Sequence, residues 1–112
     1  MKEVVAGVAA TFGGTAKVDY QRITPATINW DEQAAFAEEV ATAVSGSCHE
    51  APLKMGGEDF SYMLQARPGA FIMVGNGDSA ALHHPEYNFN DEAIPHGSSF
   101  LSEVIERRMP AA

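Results

Sequence analysis

The stretch from Leu82 to Gly97, LHHPEYNFNDEAIPHG, decides how the rest of the chain is interpreted. Two adjacent imidazoles, His83 and His84, lie between a short apolar run and a proline. A neutral imidazole is the commonest protein ligand for transition metals. Because neighbouring side chains of an extended backbone point to opposite faces, we expect at most one of the two to bind a given ion. Spacing alone favours the simpler interpretation, which is two surface histidines in a polar loop.

The composition bounds the class of protein. The chain has 112 residues, 46% of them hydrophobic, and a formal net charge of −8, which fits one small globular domain. The negative charge disfavours nucleic acid and anionic membrane surfaces as partners, and no apolar run approaches the roughly 20 residues of a membrane span. Cys48 is the only cysteine, so an internal disulfide is excluded. With no signal-peptide pattern at the start, we expect a cytoplasmic protein.

Hydrophobic periodicity predicts a mixed α/β fold with about four helices and three to four short strands. Helices are expected at residues 4–12, 29–44 and 60–66, and from Pro95 to a stop at Pro110. Strands are expected at residues 15–20, 21–28, 52–55 and 70–74. Gly13-Gly14 is typical of a left-handed helix end. The run at 70–74, AFIMV, is the most apolar and is expected to be a buried central strand.

Polar residues at the ends of these elements are the remaining candidates. Asn29 with Glu32 resembles a capping box at the start of the second helix. Glu58 and Asp59 follow paired glycines, and helix capping is the simpler interpretation of both acids. The functional alternative is that the glycines let the backbone approach a ligand while one acid points into a site. Cys48-His49-Glu50 is interpreted as a solvated turn.

Gly75-Asn76-Gly77-Asp78 follows the apolar run at residues 70–74. The segment lacks the Lys-Ser/Thr ending of a phosphate-binding loop. Open α/β sheets nevertheless place their sites in turns at the carboxyl ends of strands. The loop that carries His83 is therefore expected at the functional edge of a sheet.

Longer motifs resemble a known family. Residues 55–77, MGGEDFSYMLQARPGAFIMVGNG, followed by LHHPEYNFNDEAIPHG resemble the C-terminal part of the amidohydrolase branch of the dizinc metallopeptidases. That branch includes hippurate hydrolase, N-acyl-amino-acid amidohydrolases and indoleacetyl-amino-acid hydrolases. Residues 4–29, VVAGVAATFGGTAKVDYQRITPATIN, look like the last helix and strand of the family's inserted lid, or dimerisation, domain. The resemblance thus spans nearly the whole chain, with its motifs in the family's order.

The resemblance implies a fold and a domain division. Family members combine an α/β zinc-peptidase sandwich with a split βαβ lid. Residues 1–25 would be the end of the lid and residues 26–112 the C-terminal part of the catalytic domain. The chain would then be a C-terminal fragment, and its partner would be the upstream portion of the same enzyme or a second copy.

The resemblance also implies a metal site. By the motif Leu-His-x-Pro, the family's final metal ligand falls on His83, with His84 at the variable position. The metal would be zinc, or else manganese or cobalt. No counterpart of the other ligands or of the general base is found, so no residue of this chain is expected to be catalytic. Glu58, Asp59 and Asn29 are second candidates, as outer-shell or substrate-binding groups.

Three functions remain open from the sequence. The favoured one is a portion of a metal-dependent amidohydrolase that cleaves small N-acyl amino acids such as hippurate and is inactive alone. The second is a non-enzymatic oligomeric interaction module derived from the same fold. The third is an independent binding domain with a ferredoxin-like half, which predicts a ligand pocket within residues 1–28, where the sequence has no polar cluster.

Overall fold

The computed structural model describes residues 1–109, and within them the regular structure is helical. The helices are α1 (Lys2–Thr11), α2 (Asp31–Ser45), α3 (Phe60–Ala66) and α4 (Ala93–Arg108). The expected stop of α4 at Pro110 lies outside the described residues.

The mixed α/β prediction is not confirmed, because residues 1–109 contain no strand. The segments predicted as strands, 15–20, 21–28, 52–55 and 70–74, are irregular instead. A strand exists only where its backbone N–H and C=O groups pair with a neighbouring strand. In the described part of the chain these four segments do not pair with one another, so their alternating or apolar patterns do not produce a sheet.

Helix α1 ends as its sequence predicts. Gly13 has φ +70°, its N–H donates to the Ala10 carbonyl at 3.0 Å, and the Gly14 N–H donates to the Ala9 carbonyl at 2.9 Å. These two bonds are the Schellman pattern, which satisfies carbonyls at the end of a helix. The apolar side chains of Val4, Val8 and Phe12 are nevertheless exposed, since among the described elements α1 packs against no other helix.

Helices α2 and α4 pack against each other. Val40 of α2 is fully buried and Ala37 nearly so. At the end of α4 the guanidinium of Arg108 lies 4.1 Å from the centre of the Phe36 ring. Arg107 bonds Glu103 at 2.7 Å and Glu39 of α2 at 2.8 Å, and its hydrogen bond with Glu103 raises the pKa of Arg107. Such exposed ion pairs contribute little to the free energy of unfolding. The burial of Val40 and Ala37 therefore contributes most to the contact between α2 and α4.

Helix α3 has the bounds predicted from the sequence, but its inward face differs. Leu64 is buried, as expected, whereas Met63 is exposed and Ser61 is fully buried. The Ser61 hydroxyl donates to the Glu58 carbonyl at 2.6 Å, so the buried oxygen is satisfied. Trp30 fixes α3 to the start of α2, because its Nε1–H donates to the Leu64 carbonyl at 2.9 Å.

The described chain is elongated and its core is small. The Cα radius of gyration is 20.4 Å, against about 13 Å for a compact domain of this length. The accessible surface is 9546 Å², against roughly 6,000 Å² for a compact monomer of this mass. Most apolar side chains are therefore uncovered. Within residues 1–109 no helix combines the length and the apolar character needed to cross a membrane.

Candidate functional site

His83 lies at the third position of a tight turn. The N–H of His84 donates to the Ala81 carbonyl at 3.0 Å and closes the turn. The φ of His83 is +68°, the one positive value at a non-glycine residue among those described. A left-handed backbone costs an L-residue about 1–2 kcal/mol, and the usual residue at this turn position is glycine or asparagine. The His83 side chain is exposed, and no hydrogen bond within residues 1–109 engages it.

His84 is held differently. Its Nδ1 accepts a hydrogen bond from the Glu86 N–H at 3.1 Å, and its carbonyl accepts one from the Tyr87 N–H at 2.9 Å. Pro85 occupies the second position of this following turn, which its fixed φ favours. The two neighbouring histidines therefore differ in role: His84 stabilises the local backbone, whereas both ring nitrogens of His83 remain available to a ligand.

Asn76 joins the two ends of the loop that carries His83. Its carboxamide nitrogen donates to the Ser79 hydroxyl and to the Asn88 carbonyl, both at 2.8 Å. Its carboxamide oxygen accepts from the Asn90 N–H at 2.8 Å. Asn90 in turn accepts from the Glu92 N–H at 3.0 Å, just before α4. One side chain thus ties residue 76 to residues 88–90 across the loop.

An open, polar depression of about 560 Å³ lies beside this network. Its lining comes from residues 76–80 and from residues 86 and 88–91, and His83 is not part of it. A second shallow depression is formed by residues 20–26 with Gly57. Neither is enclosed by an apolar wall of the kind that small-molecule sites require.

Asn29 has a role other than the predicted one. The N-cap of α2 is Trp30, and no side chain caps that helix, so the capping-box prediction is wrong. The Asn29 carboxamide instead accepts from the Phe71 N–H at 2.8 Å and donates to the Phe71 carbonyl at 3.0 Å. These two hydrogen bonds substitute for a strand partner at Phe71. They are favoured over local capping because they satisfy both the N–H and the carbonyl of that residue.

Glu58 and Asp59 lie at the start of α3. An oxygen of the Glu58 carboxylate accepts from the Phe60 N–H at 3.1 Å. Asp59 is the N-cap residue but makes no capping hydrogen bond, and it is exposed. The preceding Gly57 meets Thr24 closely, since a Cβ at Gly57 would lie 2.8 Å from the Thr24 hydroxyl oxygen. Gly57 therefore admits another segment of the same chain, and the Glu58 carboxylate supports the helix start.

The described residues do not bring the four candidates together. No hydrogen bond or ion pair in residues 1–109 joins His83 to Asn29, Glu58 or Asp59. In the same part of the chain no group of three or more His, Cys, Asp or Glu side chains is close enough to hold a metal ion. His83 fits a metal as one exposed imidazole donor. The roles of Asn29, Glu58 and Asp59 toward a ligand stay predictions.

Asn76 and Asn90 are the residues of this loop that the sequence interpretation missed. Asparagine side chains commonly bond nearby backbone groups in turns, and Asn76 lies between two glycines in such a turn. The positions of Asn76, Asn88 and Asn90 therefore indicate turns in which asparagine side chains bond the backbone. The two distant partners of the Asn76 carboxamide, the Asn88 carbonyl and the Asn90 N–H, are 12 and 14 positions away and could not be identified without the fold.

The chain is similar to known proteins over most of its length. The model of peptidase family M20/M25/M40 matches residues 2–107. The chain is 28% identical over 104 residues to the N-acetylcysteine deacetylase of Bacillus subtilis (strain 168), covering 93% of this chain and 27% of that protein. It is 31% identical over 110 residues to the N-acetyldiaminopimelate deacetylase of Bacillus cytotoxicus, covering 95% of this chain and 28% of that protein. The chain thus spans little more than a quarter of these relatives. No solved structure matches it significantly.

Proposed function

Because the chain belongs to peptidase family M20/M25/M40, we propose that it is the C-terminal part of a metal-dependent amidohydrolase acting on N-acyl amino acids. Two relatives bear the names of deacetylases of N-acetylated amino acids, which supports this substrate class. The chain's coverage of 27% and 28% of those relatives supports the view that the chain is one portion of a larger enzyme. Residues 1–25 would belong to its lid and residues 26–112 to its catalytic domain.

The observation that carries the proposal is the exposed imidazole of His83 on a left-handed turn. Backbone conformations of this kind are retained at functional positions despite their cost in free energy. The two histidines have different surroundings, because the Nδ1 of His84 already accepts a hydrogen bond from the Glu86 N–H. The motif Leu-His-x-Pro points to the same residue as ligand, and the exposed ring of His83 supports that proposal.

In the proposed enzyme this chain supplies one ligand and no catalytic residue. His83 would hold zinc, or else manganese or cobalt, through a neutral ring nitrogen. The bound metal would supply Lewis acidity toward the amide carbonyl. Hydrolysis adds water across the amide bond and yields a carboxylate and the free amino acid, with a general base moving the proton to the leaving amine. That base is expected in the upstream portion.

The finer features of the function are also part of the proposal. Hippurate-like compounds are the substrates that the motif resemblance favours, among small N-acyl amino acids generally. We expect the protein to work in the cytoplasm, associated with an upstream portion or with a second copy. The large uncovered apolar surface supports such an association.

The test is zinc binding and hydrolysis by the purified chain. We expect weak zinc binding, because one imidazole cannot assemble a site, and no release of glycine from hippurate. His83→Ala should abolish the zinc-induced shifts of the imidazole NMR signals, whereas His84→Ala should retain them at the His83 ring. Adding the upstream portion of a related deacetylase in trans should be the only route to activity.

Two results would contradict the proposal. Turnover of hippurate by this chain alone would show a complete active site within it. Zinc binding that survives His83→Ala and disappears with His84→Ala would show that the ligand is His84 and that the proposal names the wrong histidine.

A further inference from the structure

We propose that Asn76 is a positioning residue for His83. The inference rests on the proposed function for the identity of His83 as a ligand, and it assigns a role to a residue that the motif does not mark. Residues 76 and 90 are separated by 14 positions, and His83 lies midway between them.

The Asn76 side chain fixes both ends of that loop. Its donor bonds reach the Ser79 hydroxyl and the Asn88 carbonyl, and its acceptor bond reaches the Asn90 N–H, all at 2.8 Å. Ser79 belongs to the outgoing end, whereas Asn88 and Asn90 belong to the returning end. A single carboxamide therefore closes the loop, since no strand pairing joins its two ends in the described residues.

Closure matters because the backbone at His83 is strained. Without a constraint, a non-glycine residue leaves the left-handed region for conformations of lower free energy. The turn at His83 has one closing hydrogen bond, from His84 to Ala81. Holding the loop ends at a fixed separation limits the conformations between them and favours the turn. Asn76 thus acts on His83 through the backbone, with no direct contact.

The experiment compares Asn76→Ala with Asn88→Ala in the isotopically labelled 112-residue chain. Asn88 joins the network through its backbone carbonyl alone, so its alanine variant keeps every bond that closes the loop. We expect Asn76→Ala to raise amide exchange at Asn90 about tenfold. The amide coupling constant of His83 should move to the averaged value of a mobile loop, and its heteronuclear NOE should fall. Asn88→Ala should change exchange less than about twofold.

Asn76→Asp separates closure from a general loss of stability. Aspartate keeps the acceptor for the Asn90 N–H but loses both donor bonds, so we expect values at His83 between those of the wild type and the alanine variant. Signals from α2 and α4 should not move in any of these variants. If Asn76→Ala loses its dispersed amide spectrum, the comparison of Asn76→Asp with Asn88→Ala tests by itself whether Asn76 holds the turn at His83.

Three outcomes would overturn the inference. The first is a wild type in which the heteronuclear NOE of His83 already shows a mobile residue. The second is an NOE and coupling constant of His83 that stay unchanged in both Asn76 variants. The third is a set of signal changes that extends equally over α2 and α4. Zinc titration of the wild type is a separate measurement. If zinc leaves the His83 ring signals unshifted, the proposed function fails, while the coupling constants and exchange rates still decide whether Asn76 holds the turn.

Discussion

At position 83 the backbone conformation suits asparagine, whereas the proposed metal binding needs an imidazole. Asparagine adopts the left-handed region more readily than most residues, and a β-branched residue is strained there. We therefore expect His83→Asn to leave the free energy of unfolding nearly unchanged. His83→Val should lower it by about 1–2 kcal/mol. Urea denaturation followed by circular dichroism measures both values.

Both variants lack the ring and should lose the zinc-induced shifts equally. His84→Val is the control for the zinc-induced shifts, which it should retain at the His83 ring, because it removes only the neighbouring imidazole and the hydrogen bond of that ring with the Glu86 N–H. If His83→Asn and His83→Val proved equally stable, the left-handed turn would not be populated in solution.

At the scale of elements, the contact between Asn29 and Phe71 replaces strand pairing between two segments that are far apart in the sequence. Asn29→Ala removes two hydrogen bonds and leaves the Phe71 N–H without its partner. The expected loss is roughly 2 kcal/mol in the free energy of unfolding. Asn29→Asp keeps the acceptor for that N–H and should lose about half as much.

Thermal and urea unfolding of the three chains provides the measurement. Equal losses for the alanine and aspartate variants would show that the Phe71 N–H bond contributes nothing.

Local signals explain which elements were predictable. The bounds of α3 and the glycine cap that follows α1 at Gly13 result from apolar spacing and glycine conformation, which act within a few residues. The sequence predicts a cap at Asn29, since local spacing cannot identify its partner, Phe71, which is 42 positions away. The apolar run at residues 70–74 predicts a strand by its pattern, although a strand needs a neighbour that the pattern does not contain. The motif marks His83 as the candidate metal ligand, which stays a prediction, whereas nothing in the local sequence indicates the left-handed turn at this position.

At the scale of the whole molecule, the surface exceeds that of a compact monomer by over half, and much of the excess is apolar. Helix α4 shows the reason. Phe100 and Val104 are half-buried on a helix that packs against α2, whereas Leu101 and Ile105 remain 64% and 59% exposed. A helix that is apolar on two faces belongs between two layers.

We therefore expect the isolated chain to form dimers or larger assemblies, as measured by sedimentation velocity. The double variant Leu101→Glu/Ile105→Glu should shift the distribution toward monomer, because the added charges oppose burial of that face. Ser102→Glu, which adds a charge at an exposed polar position of the same helix, is the control and should not. A compact monomer at high concentration would contradict both this expectation and the proposal that the chain is part of a larger enzyme.

The left-handed turn at His83 also has a consequence for how the family can change. A histidine codon becomes an asparagine codon through a single nucleotide substitution, and asparagine fits the same turn. A gene could thus lose the ligand proposed at this position without a folding defect that protein quality control would remove. Descendants of this kind would persist as folded proteins without the proposed activity. They would be identified in a genome by an asparagine two positions before the proline that corresponds to Pro85.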